Sequence, residues 1–208
     1  MLAYSHQVFG ITWGLITLTT LNLFGIDFKD PIDMLLFFGL VLFGSLFPDI
    51  DTPNSKLGRY FWALLLIIVA AVITTAVYFP SLLNLIYVDL KNFSLLLLPF
   101  LLIFTGHRKF SHSLLFLLLL CFYCYLINFY LKVSLVYLIA YIVGVVSHLI
   151  GDYLTKRGIP LFFPLSKKYF KFFITFRTGS YNERLIIWIL LILNILFISS
   201  NFIKYIAL

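Results

Sequence analysis

Long apolar runs broken by short polar punctuation set the pattern of this chain. Seven runs are candidates for helices crossing a bilayer, at residues 8–26, 32–47, 60–80, 93–106, 113–131, 133–150 and 185–204. A helical span needs about 20 apolar residues, with a range of about 17–25. The first, third, fifth and seventh runs meet this; the second is short. The fourth is shorter still and is interrupted by Pro99, so a count of six stands open beside seven; it lengthens if it begins near Leu82 and takes in Asp89 and Lys91. The runs lack the short alternating pattern of barrel strands. Lipid offers the backbone no hydrogen-bond partner, so unbroken apolar runs of this length are helices. The expected fold is all-α: a polytopic membrane helix bundle of about seven transmembrane helices, in one integral membrane domain over residues 1–208. The first run follows no Lys or Arg and ends in Gly25-Ile26-Asp27, unlike a cleavable signal peptide.

The polar punctuation predicts topology. Numbering the spans alternately places the N-terminus and segments 48–59, 107–112 and 151–184 on one side. The other side receives 27–31, 81–92, the turn at Lys132 and the C-terminus. The first side carries eleven Lys or Arg residues against four on the second. By the excess of basic residues on cytoplasmic loops, the N-terminus is expected in the cytoplasm of a cell inner (plasma) membrane protein. The longest polar stretch, 151–184, mixes Lys167, Lys168, Lys171 and Arg177 with phenylalanines. Two readings fit it: an amphipathic segment lying along the membrane surface, or a solvated loop with aromatic anchors.

Composition agrees with a lipid environment. The 208 residues are 62% hydrophobic and 11% charged, with a mean hydropathy of +1.07. Soluble domains are about 45–50% apolar and about 25% charged. The net charge of +7 is accounted for by topology and by attraction to anionic membrane lipids, so no nucleic-acid partner is expected. Cys121 and Cys124 lie within an apolar run, and no third cysteine completes a metal site, so they read as packing residues.

The chemistry-bearing residues gather on the first side. All four histidines, His6, His107, His112 and His148, fall there with Asp49, Asp51, Asp152 and Glu183. Ionisable groups among lipid-facing segments are costly unless paired or ligated. His148 and Asp152 are spaced i, i+4, one turn apart on one helix face, where an imidazole and a carboxylate can share an ion. Asp49 and Asp51, in Phe47-Pro48-Asp49-Ile50-Asp51, point the same way if the segment is not helical. His107 and His112 diverge by about 140° on one continuous helix; they converge only if a turn intervenes or the helix starts near Ser111. Nitrogen and oxygen ligands without thiolate suit a divalent metal, zinc first, with manganese or iron the other fits, as one or two ions. The preferred ligands are His6, Asp49, His107, His112, His148 and Asp152. Asp51 and Glu183 are the second choices, as ligand or as catalytic general base. Blander roles stay open: His6 as an interfacial polar group, Asp49 or Asp51 as a helix cap, His148 and Asp152 as a simple pair, and Glu183 as a cap or a partner of Arg184.

Several motifs in order resemble the YdjM-like family of inner-membrane metal-dependent hydrolases. They are Gly44-Ser45-Leu46-Phe47-Pro48-Asp49-Ile50-Asp51 with Ser55-Lys56-Leu57-Gly58-Arg59, then His107-Arg108-Lys109-Phe110-Ser111-His112-Ser113. Ser147-His148-Leu149-Ile150-Gly151-Asp152, Gly179-Ser180 with Glu183, and the N-terminal His6 complete the set. Ser111 stands where the family has threonine. The resemblance implies a hydrolase, and the His-x-x-x-Asp element is also similar to the zinc-binding pattern of phospholipase C and of related helical nucleases. The expected activity is therefore metal-dependent hydrolysis of a phospholipid or other amphiphilic ester at the cytoplasmic membrane surface. Lys56, Arg59, Arg108, Lys156 and Arg157 are the candidate phosphate-binding residues. A metal or ion transporter, and a non-catalytic scaffold stabilised by a structural metal, are the competing readings.

Overall fold

The computed structural model describes residues 1–26, 28, 30–50 and 109–206, with positions 63, 67, 70, 71, 74, 75 and 78. The described residues form five long helices: α1 (Ala3–Leu23), α2 (Pro31–Leu46), α3 (Leu114–Leu131), α4 (Leu135–Tyr153) and α5 (Tyr181–Ile206). A 3-10 turn, Phe47–Asp49, extends α2.

Helix ends follow local chemistry. Asp30 caps α2 by accepting from Ile32 N at 2.8 Å, with Pro31 at the first helical position. Ser113 caps α3 by accepting from Phe116 N at 3.1 Å. At the other end of α3, Lys132 takes a left-handed conformation with φ 55°, and Asn128 Nδ2 donates to Val133 O at 2.9 Å.

Among the described residues, four stretches are long and apolar enough to cross a membrane: Pro31–Asp49, Leu114–Leu131, Leu135–Tyr153 and Tyr181–Ser200. The chain is thus a helical membrane protein, but its described residues do not supply seven spans. The run 93–106 and most of 60–80 lie outside the described residues; the described positions within 60–80 are helical. α1 is long enough at 21 residues but is not among the apolar four, because it carries His6, Gln7, four threonines and Asn22. Three of those threonines return their hydroxyls to the carbonyl one turn back, as Thr19 Oγ1 does to Leu15 O at 2.9 Å. The helix also starts earlier than its apolar run, so His6 lies inside its first turns.

Packing centres on the crossing of α2 and α4. A Cβ on Gly44 would lie 2.3 Å from Tyr141 O, and one on Gly144 would lie 2.2 Å from Val41 O. Only a pair without side chains lets the two backbones meet here. In lipid, where burial of apolar surface gives helices no special reason to associate, such close contact is a main source of cohesion. α1 lies across both helices, with Gly10 against Ser45. α5 joins α1 through Asn194, whose Nδ2 donates to Thr12 Oγ1 at 3.1 Å. α3 packs on α4 through an apolar cluster that includes Phe47, Phe116, Leu120, Tyr123 and Val145.

Candidate metal centre

Both the start of α1 and the end of α2 reach one end of the bundle, with the turn before α3 and the end of α4. The i, i+4 pair behaves as its spacing predicts: His148 Nε2 is 3.8 Å from Asp152 Oδ2. His112 precedes α3 in a turn over residues 109–113. Its Nε2 lies 3.2 Å from His148 Nε2, 3.4 Å from Asp152 Oδ2 and 3.7 Å from Asp49 Oδ1. His6 stacks on His148 with ring centroids 3.8 Å apart, and its Nε2 is 3.3 Å from Asp152 Oδ1. The Met1 ammonium also contacts Asp152 Oδ1. Asp49 and His112 lie close to the two edges of the stretch that contains the residues outside the description.

His6 and His148 are fully buried and His112 nearly so. Among the described residues, His6 Nδ1 and Asp49 Oδ1 have no hydrogen-bond partner, and His6 Nε2 has only its 3.3 Å approach to Asp152 Oδ1. A buried polar atom left this way costs about 1–3 kcal/mol unless something else satisfies it. Two overlapping groups, His6–Asp49–His148 and His112–His148–Asp152, each bring three ligand atoms within 4.8 Å of one another. The donors are imidazole nitrogen and carboxylate oxygen, a set that zinc, manganese or iron accepts. The residues present therefore fit a divalent cation.

A supporting layer fixes the rings. His148 Nδ1 lies 2.8 Å from Ser45 O. A carbonyl only accepts, so Nδ1 carries the proton and Nε2 turns its lone pair to the cluster. Ser111 Oγ lies 2.9 Å from His112 Nδ1 and can do the same there. Sequence reasoning missed Ser45 because its contribution is a main-chain oxygen; its place beside Gly44 at the helix crossing was the available signal.

Glu183 stands in the first turn of α5. It is buried, Oε1 accepts from Leu2 N at 2.9 Å, and Oε2 accepts from Gly179 N at 2.6 Å. It joins the start of α5 to the start of α1, four residues before His6. Arg157 lines a cavity of about 290 Å³ beside Asp49, His112 and Asp152, with Thr155, Tyr169 and Thr178 also on its wall. Lys156 is exposed and is not among the lining residues. Asp51, Lys56, Arg59, His107 and Arg108 lie outside the described residues.

A helical membrane bundle with imidazoles and carboxylates gathered at one end defines the class. The chain belongs to the YdjM inner membrane protein family, whose sequence profile matches residues 1–207. It is similar to YvsG of Bacillus subtilis (strain 168), an uncharacterized protein: 30% identical over 146 residues, spanning 69% of this chain and 66% of the relative. No solved structure matches it.

Proposed function

We propose that this protein is a membrane-embedded metal-dependent hydrolase, acting at the cytoplasmic surface on a phospholipid or other amphiphilic phosphoester. The observation that carries this reading is the meeting of three imidazoles and two carboxylates, with a buried ring nitrogen and a carboxylate oxygen left unsatisfied. The ligands are drawn from His6, Asp49, His112, His148 and Asp152. Both groups of three draw on His148, whose Nδ1 is committed to Ser45 O. One remaining nitrogen serves one ion, so these five residues form one centre, with zinc the first choice.

Once bound, a cation of this kind acidifies a water and polarises a phosphoryl oxygen. The chain's own residues supply the rest. Ser45 O and Ser111 hold two imidazoles in register. Arg157 offers the cavity a fixed positive charge with the fork geometry that suits phosphate. Thr178 and Tyr169 add hydroxyls to the same wall. Glu183 holds the start of α1, and Asp51 is left as the candidate base. The family's inner-membrane description and the concentration of basic residues at this end support the cytoplasmic assignment.

Two features weigh against the competing readings. The ligands stand at helix ends, whereas transporter sites lie near the bilayer midplane on broken helices. The cavity gives the cluster an open side, where a purely structural zinc is closed by four protein ligands.

The test is elemental analysis of the purified protein, followed by phosphoester turnover in lipid nanodiscs with and without chelator. The expected result is about one equivalent of metal, and release of a phosphorylated product that stops on chelation and returns with metal. Metal-loaded protein that cleaves no phospholipid, or equal cleavage after chelation, overturns the proposal.

A further inference from the structure

The loop between α4 and α5 carries a second message, independent of any hydrolysis at the cluster. Between Asp152 and Glu183 the sequence contains no acid and six bases: Lys156, Arg157, Lys167, Lys168, Lys171 and Arg177. All six are exposed. Among them stand large apolar side chains that the fold leaves outside: Leu165 is 95% exposed, Phe173 83% and Ile174 70%.

These side chains cannot simply fold inward, because the backbone beneath them is fixed to the bundle. Ile159 and Phe170 exchange both backbone hydrogen bonds, at 2.9 and 2.8 Å, and Phe172 N donates to Tyr153 O at 3.0 Å. Gly158 makes the turn at φ +68°, where a Cβ would lie 2.3 Å from Phe170 O. Leu161 O accepts from Leu114 N at 2.8 Å, which ties the loop to the start of α3. The loop is therefore a fixed platform on which these apolar side chains and the lysines, interleaved along the chain, are all exposed. It begins and ends on helices long and apolar enough to span a membrane, so it sits at the depth of the bilayer surface.

We infer that residues 161–177 are seated in the headgroup layer, with Leu165, Phe173 and Ile174 dipping into the acyl boundary and Lys167, Lys168 and Lys171 holding anionic phospholipid headgroups. Apolar tips flanked by lysines are the pattern of interfacial segments, and each basic residue near an anionic surface favours it by about fivefold. The absence of acids between Asp152 and Glu183 makes the charge complementarity one-signed. Of the two sequence readings of 151–184, the membrane-surface one is favoured by the outward tips. Tyr169 and Arg157 belong to the same stretch and line the cavity, so a lipid held on this platform stands beside its mouth.

The test uses the full chain in nanodiscs. Spin labels are placed at L165C and F173C in a C121A/C124A background, and their depth is read from collision with oxygen and with a water-soluble nickel complex. Both labels are expected to favour oxygen, at shallow depth. Labels that favour the nickel complex at both positions overturn the placement. Retained phosphatidylglycerol is then counted by mass spectrometry after extraction from mixed phosphatidylcholine and phosphatidylglycerol nanodiscs. K167E/K168E/K171E is expected to lower retention by about tenfold or more, and K132E, at the far end of α3, to leave it unchanged. K167Q/K168Q/K171Q serves if charge reversal prevents folding. Retention unaltered in the lysine variants overturns the assignment of headgroup binding to this platform.

Discussion

The two ends of the bundle use polar residues in opposite ways. At the end that joins α3 to α4, polar groups are satisfied mostly by near neighbours. Asp30 caps its own helix, Asn128 reaches Val133 O, and Lys132 lies 5.3 Å over the ring of Phe129. A long-range contact there, from the Tyr137 hydroxyl to Asp33 Oδ1 at 2.5 Å, pairs one donor with one acceptor. At the opposite end, His6, Asp49, His112, His148 and Asp152 come from remote segments, and apart from the Met1 ammonium on Asp152 Oδ1 their ring nitrogens and carboxylate oxygens face one another. His112 Nε2 and His148 Nε2 at 3.2 Å can share at most one proton between them. Polar groups placed for folding alone pair up, as they do around Lys132. Groups arranged acceptor to acceptor in a buried setting are arranged for a cation.

The largest effect expected from this contrast is on metal content. His148→Ala removes the one residue common to both ligand groups, and we expect metal to be lost by elemental analysis, a deficit greater than the roughly 10–100-fold that outer partners cost. Asp33→Asn, at the other end, should retain a full equivalent. Equal metal content in the two variants would remove the distinction between the ends.

The helix crossing comes next. Gly144→Ala forces a methyl against Val41 O, 2.2 Å from where its Cβ would stand. Overpacking of a filled interior costs about 1–3 kcal/mol, read as a lowered midpoint of unfolding in detergent. Because the same crossing sets Ser45 O against His148, metal affinity should fall with it. A destabilised variant with unaltered affinity would show that the crossing supports the fold but not the ring.

Ser111→Ala sharpens the comparison further. It deletes the hydroxyl 2.9 Å from His112 Nδ1 while leaving all five ligands. Metal affinity, measured by chelator competition, should drop about 10–100-fold with helix content unchanged. Undiminished affinity would mean that His112 needs no such support.

How far these features could be read from residues depends on the kind of interaction. Helices were legible wherever lipid is the solvent, because hydrophobicity alone then decides: the runs 32–47, 113–131 and 133–150 match α2, α3 and α4 to within three residues at each end. α1 departs more, since it begins ahead of its apolar run and carries its polar residues inside the helix. The pair His148 and Asp152 was legible because helical spacing is local. The approach of His112 to His148 rests on a turn just before α3 and on a contact between residues 36 apart, which no periodicity encodes. Glu183 was least legible. Its acceptor oxygens serve main-chain donors, one of them 181 residues away, and a main-chain partner leaves no mark in side-chain identity.

The smallest effects give the most controlled comparison, because Asp30 and Ser113 do the same job at opposite ends. Each accepts from the backbone N–H near the start of its helix, at 2.8 and 3.1 Å. Replacing either by alanine should cost about 0.5–2 kcal/mol of stability. Ser113 has a further bond, its hydroxyl donating to Phe110 O at 2.7 Å, which closes the turn holding His112. Asp30→Ala should therefore lower stability alone, while Ser113→Ala lowers stability by a similar amount and weakens metal binding as well. Chelator competition on both variants, at matched loss of stability, separates a general softening of the bundle from a displaced imidazole. Equal weakening by the two would make the metal effect a consequence of softening, and the cluster end would then hold its ligands no more specifically than the far end holds its caps.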